Sequence, residues 1–146
     1  MEQKVQDFIQ AKRLAVVGVS HSPQKVGTAI YIELKQRGYE VFGVNPHLTT
    51  IDGDKCYAAI AELAGTVDGA VICVPPAAAA GIIREAAAAG ITKLWLQQGS
   101  TSLETKKAAQ EAGITPVEGK CILMYAGEVK SIHAFHRFFA RLFGQY

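Results

Sequence analysis

Four short stretches carry the residue types that ligand chemistry would need. The first is Gly18-Val-Ser-His-Ser-Pro-Gln-Lys-Val-Gly27. Gly18 leaves no side chain in the way, Ser20 offers a hydroxyl, and Lys25 offers a cation. Val26 and Gly27 would present backbone N–H groups at the start of a helix. Such a start favours anions, phosphate above all, through its dipole and its unpaired donors. The spacing is neither GxGxxG nor GxxxxGK(S/T), so an ordinary strand-to-helix turn is the competing reading.

The second stretch is Asn45-Pro46. Dinucleotide sites of the NAD type place Asp or Glu at the end of this strand, against the ribose hydroxyls. A carboxylate there would repel a phosphorylated ribose, whereas neutral Asn45 would not. A plain Asn-Pro turn accounts for the pair equally well. The third, Val74-Pro75-Pro76, is stiff and apolar, either a wall against a nucleotide or a strand stop. The fourth, Leu96-Gln97-Gln98-Gly99, offers two amides to an amide-bearing ligand, or to water.

Other signals are weaker. Tyr31 and Lys35 match the YxxxK spacing of short-chain dehydrogenases but fall on the first helix, too early for that chemistry. His133 and His136 lack a nearby acid or cysteine that would complete a metal site. Cys73 reads as inert core. Cys121 follows the last strand with Lys120 beside it, and a neighbouring cation favours thiolate.

The elements that must hold these stretches follow from the pattern of apolar residues. Val5, Phe8 and Ile9 have helical spacing, giving a short helix over 3–11. Apolar runs at 14–17, 41–44, 69–74, 93–96 and 114–117 read as strands, with a very short edge strand at 55–57 and polar loop over 47–54. Helices are expected over 27–37, 58–63, 77–89, 102–112 and 128–143, with Gly38, Gly90 and Gly113 closing three of them. Strands alternating with helices imply a single α/β domain, a doubly wound, Rossmann-like, three-layer α/β/α sheet of order 3-2-1-4-5-6. In such a sheet ligands bind at the carboxyl ends of the strands where the order reverses, and the four stretches meet there.

Composition narrows the function classes. The 146 residues are 49% hydrophobic and 19% charged, which suits one ordinary core and excludes disorder as the main state. A net charge of +2 gives no electrostatic case for nucleic acid. Cys56, Cys73 and Cys121 are too few and too scattered for a disulfide framework, and no apolar run approaches a membrane span. A cytoplasmic protein is expected. The aromatic stripe of the last helix reads as core or as a homodimer face.

Five segments in order, VVGVSHSPQKVG, GYEVFGVNP, GDKCYAAIAEL, VDGAVICVPPAAAAGIIREAAAAGITKLWLQQG and EGKCILM, resemble the small CoA-binding proteins of the Rossmann type. These are related to the N-terminal domain of the succinyl-CoA synthetase α-subunit, and the likeness runs from Arg13 to Met124. The resemblance implies coenzyme A in the crevice. Its phosphate loop falls on Gly18, Val19, Ser20, Lys25, Val26 and Gly27. Asn45 and Pro46 fall near the adenosine, Val74, Pro75 and Pro76 on the VPP element, and Leu96, Gln97 and Gln98 on the pantetheine side. No histidine sits in a segment like that of the synthetase's phosphorylated histidine. The expectation is therefore a CoA or acyl-CoA binding module without catalysis of its own. Two rivals remain: an NAD(P)-dependent oxidoreductase, and an interaction protein whose nucleotide site is vestigial.

Overall fold

Leu14-Ala-Val-Val17 is apolar at every position, and all four residues are buried, as a strand covered on both faces requires. The computed structural model describes residues 3–126. In chain order it has α1 (Gln3–Ile9), β1 (Arg13–Val17), α2 (Val26–Gln36), β2 (Glu40–Val44), β3 (Thr50–Ile51) and β4 (Asp54–Tyr57). There follow β5 (Gly69–Ile72), α3 (Pro76–Ala88), β6 (Leu94–Leu96), α4 (Leu103–Glu111) and β7 (Val117–Glu118). Short 3-10 turns lie at Ile60–Leu63 and Ile122–Met124. The helix expected over 128–143, with His133 and His136, lies outside the described residues.

β1 sits at the centre of the sheet, parallel to β2 on one side and to β5 on the other. Alternate side chains of β1 enter different cores. Leu14 and Val16 join Phe8, Tyr31, Leu34 and Trp95 under α1 and α2. Ala15 and Val17 join Ile72, Ile83, Ala86 and Leu96 under α3 and α4. This is the three-layer α/β/α arrangement expected from the sequence.

The full order is β3-β4-β2-β1-β5-β6-β7. Leaving out β3, it is the expected 3-2-1-4-5-6. The additional strand lies inside 47–54, expected to be loop: β3 pairs antiparallel with β4 through a tight turn. Asp52 and Gly53, at φ 50° and 80°, make that turn, and both need the left-handed region it demands. The last strand is Val117–Glu118 rather than 114–117. Ile114 N–H donates to Ala109 O (2.9 Å) to close α4, and Pro116 has no N–H for a ladder.

Two polar ties fix the periphery. Arg37 bonds Glu33 (3.0 Å) and donates to the carbonyls of Leu123 (2.9 Å) and Ala126, so α2 holds the turn after β7. On the far edge, Asp54 accepts from Tyr31 Oη (2.8 Å) and Lys35 Nζ (2.6 Å), pinning the β3–β4 hairpin to α2. Tyr31 and Lys35 thus serve as a brace, and neither is placed for dehydrogenase chemistry.

Lys35 first, then Tyr31, hold the Asp54 carboxyl below the usual carboxylate range. A lowered folded value stabilises the fold above about pH 4, and that stabilisation is lost as pH falls through the lowered value. Both side chains of the pair are more than 40% exposed, so screening keeps the effect under about 1 kcal/mol. Asp54→Asn should therefore lower Tm by at most a few degrees at pH 7. In thermal melts the gap should shrink as the pH drops below about 4. A gap that stays constant into strong acid would remove Asp54 from this role.

Candidate functional site

Gly18 ends β1 where three strand ends meet. Its N–H donates to Val44 O (3.1 Å), and next to it Cys73 N–H donates to Val17 O (2.8 Å). At φ 108° Gly18 occupies a conformation that other residues avoid, and a Cβ there would lie 2.5 Å from Cys73 O. A Cβ on Gly27 would run into Gly18 O. The two glycines therefore let the first turn of α2 pack backbone to backbone on the loop leaving β1.

Thr28, buried and absent from the sequence reading, stitches this contact. Its Oγ1 accepts from Ser20 N (2.7 Å) and donates to Ser20 O (3.0 Å). A hydroxyl at the third position of a helix is the signal that would have found it. Ser20 Oγ accepts from Ser22 N (3.2 Å), so this hydroxyl shapes the turn as well. Lys25 is the N-cap, exposed and in extended conformation, and its side chain makes no capping bond. The first-turn N–H groups of α2 have no intrahelical partner and no side-chain cap, which leaves a seat for an anion.

Asn45 uses both ends of its amide. Nδ2 donates to Val19 O (2.7 Å), and Oδ1 accepts from His47 N (2.8 Å). The turn reading and the site reading meet here: the side chain closes its own turn and braces the β1–α2 loop. Pro75 is the N-cap of α3 and Pro76 its first residue, so the pair starts a helix as much as it stops a strand. Ser100 Oγ, which sequence reading passed over, donates to Val74 O (2.6 Å) and fixes that corner.

The fourth stretch divides. Leu96 is wholly buried, and Gln97 is 2% exposed with Oε1 accepting from Ile122 N (3.1 Å). Both side chains face inward. Gln98 is partly exposed and donates from Nε2 to Gly119 O (3.2 Å). Val19 and Val26 are also core, so they can offer only backbone.

A cavity of about 420 Å³ opens at the carboxyl ends of β1, β2 and β5, within the usual size of ligand clefts. Gly18, Asn45, Pro46 and Val74 line it, together with Ile60, Ala78 and Ile82. His47 and Glu85 also reach its surface. Ser20, Lys25, Val26 and Gly27 lie outside this lining, across Gly18 on the α2 side.

The cysteines are unpaired and buried. Burial pushes the Cys121 thiol up despite a hydrogen bond with the Gln97 side chain, and Cys121 is 1% exposed. The pull toward thiolate that Lys120 suggested is opposed by this burial, since desolvation disfavours the charged form. Burial raises Cys73 further still. No group of three or more His, Cys, Asp or Glu placed to hold a metal occurs among the described residues.

An uncapped helix N-terminus beside an apolar cleft, at the switch point of a doubly wound sheet, is the arrangement of the Rossmann-like class, whose ligands bind at that crevice. Residues 12–126 match the CoA binding domain family, and the chain belongs to it. The chain is 32% identical over 108 residues to acetate–CoA ligase (ADP-forming) II of Archaeoglobus fulgidus, covering 73% of this chain but 16% of that protein. It is 27% identical over 120 residues to uncharacterized protein YneT of Bacillus subtilis, covering 82% and 89%. A solved conserved hypothetical protein from Pyrococcus furiosus superposes with TM-score 0.74 at 39% identity, over 77% of this chain and 97% of that one.

The Gly18–Gly27 contact gives a direct check. Gly27→Ala forces a methyl against a backbone oxygen, and overpacking of this kind costs about 1–3 kcal/mol. A drop in Tm of several degrees is expected. An unchanged melt would show that the loop yields freely.

Proposed function

We propose that the chain binds coenzyme A or acyl-CoA as a sensor or carrier module and performs no catalysis of its own. The observation that carries this reading is the uncapped N-terminus of α2 packed against Gly18, which itself lines the cleft. In this reading the diphosphate sits on the N–H groups of Val26 and Gly27. Gly18, Val19 and Ser20 flank it, with Lys25 alongside. Asn45 and Pro46 border the adenosine, and Val74, Pro75 and Pro76 form the wall beside it. Gln98 is the amide left to meet the pantetheine arm. Leu96 and Gln97 support that corner from inside.

The rival NAD reading is disfavoured by Asn45, whose neutral amide is committed to Val19 O and His47 N where a ribose-binding acid would stand. The titratable groups lining the cleft are His47 and Glu85, one on a loop and one on α3. The proposal places the protein in the cytoplasm, in keeping with three free thiols; no helix among the described residues is long and apolar enough to cross a membrane. Self-association through 128–143 is part of the proposal, tested by solution mass with and without the residues after Gly127.

Calorimetric titration with CoA, acetyl-CoA, NAD and NADP tests the ligand class. Micromolar CoA binding with silent nicotinamide nucleotides is the expected result, and silence from CoA would overturn it. Lys25→Ala should weaken CoA binding a few-fold at low salt, since one exposed ionic contact contributes about 0.2–1 kcal/mol. The difference should fade at high salt, where screening shortens to about 3 Å at 1 M. Equal affinities at low salt would take Lys25 out of the site.

A further inference from the structure

Within the cleft one polar group stands apart from the phosphate end. Ala78, Ile82 and Glu85 share one face of α3 and all line the cavity, opposite Ile60 and the ends of β1 and β2. Ala78 lies beside Val74 and the helix start, and Glu85 lies about 10 Å further along the axis. The walls between are apolar: Val17, Val44, Ile60 and Ile82. Arg84, the adjacent cation, turns to Glu111 on α4 (3.9 Å). Among the described residues no hydrogen bond or ion pair is made by the Glu85 carboxylate, which is only partly exposed. An ionised carboxylate only accepts hydrogen bonds. An apolar cleft whose lining includes such a group fits a planar heteroaromatic ring that carries an N–H donor on its edge.

We infer that Glu85 is the base-reading residue of this cleft, accepting a hydrogen bond from the exocyclic amine of a purine and so selecting an adenine nucleotide over a 6-oxopurine nucleotide. This rests on the CoA reading and deepens it. A 6-oxo group at the same place would set a lone pair against the carboxylate and leave a partly buried acceptor unpaired. Discrimination of roughly ten- to a hundredfold follows for one hydrogen bond to a charged group.

The experiment is calorimetric titration of the full chain and of Glu85→Gln with CoA, ADP and IDP, alongside thermal melts. Glu85→Gln keeps size and helix preference while its amide can either donate or accept. The wild-type chain should bind ADP at least about tenfold more tightly than IDP. Glu85→Gln should bring the two to near parity and weaken CoA, at an unchanged Tm. If CoA binds but ADP is silent, if ADP and IDP bind the wild-type chain equally, or if Glu85→Gln keeps the preference, the role of Glu85 is overturned and the CoA reading stands. If CoA itself is silent, both fall.

Discussion

The contact on which this molecule turns is backbone against backbone. The carbonyl of Gly18 faces the Cα of Gly27, and the Cα of Gly18 faces the carbonyl of Cys73. Neither approach tolerates a Cβ. Through these contacts the end of β1 touches the end of β5 and the start of α2 at once. That places helix donors beside the crevice, where the sheet order reverses. A bulkier junction would push α2 outward, and its first-turn N–H groups would no longer border the cleft. The uncapped helix donors and the cleft therefore share one origin.

Around this junction, short polar ties hold loops that have little apolar area of their own. Asn45 reaches Val19, Thr28 reaches Ser20, Ser100 reaches Val74 and Gln97 reaches Ile122. Each link joins segments that leave different strands, apart from the one between Ser20 and Thr28, which lies within a single loop-to-helix turn. Side chains committed to such bonds cannot also turn toward a ligand at no cost, because a buried partner left unpaired loses about 1–3 kcal/mol. This division explains why the cleft lining itself is mostly apolar. The amides and hydroxyls nearby are spent on holding its rim, and the free donors come from the backbone.

The layers and the crevice were legible because they depend on patterns that survive without tertiary detail. Leu14–Val17 and Gly69–Ile72 are apolar throughout, and strands of that kind belong in a sheet covered on both faces. The β3–β4 hairpin was hidden by the polar run HLTTIDGD, yet Asp52-Gly53 is a hairpin signal in its own right. The two glutamines looked equivalent in LQQG. Strand parity separates them, since Gln97 follows Trp95 by two and faces the same core, while Gln98 faces away. Cys121 misled for another reason. The Lys120 neighbour is a local feature, whereas the enclosure of the thiol by the turn at Ile122–Met124, itself held by Arg37, is long-range. Thr28 and Ser100 were missed on the same ground, because their partners lie eight and twenty-six residues away.

The neutrality at position 45 follows from the geometry before any ligand is considered. The side chain must donate to Val19 O and accept from His47 N, which a neutral amide does and an ionised carboxylate does not. A carboxylate would turn an acceptor toward an acceptor and loosen the loop that frames α2. It would also set a negative charge close to the helix N-terminus, offsetting the field that attracts an anion. Glu85 escapes that conflict by distance, about two helical turns along α3 from Ala78. The cleft therefore carries an acceptor, Glu85, among apolar walls, while the helix donors and Lys25 lie beyond its lining, across Gly18. A nucleotide has the matching polarity, anionic at its phosphates and, where the base carries an amine, a donor at its far edge.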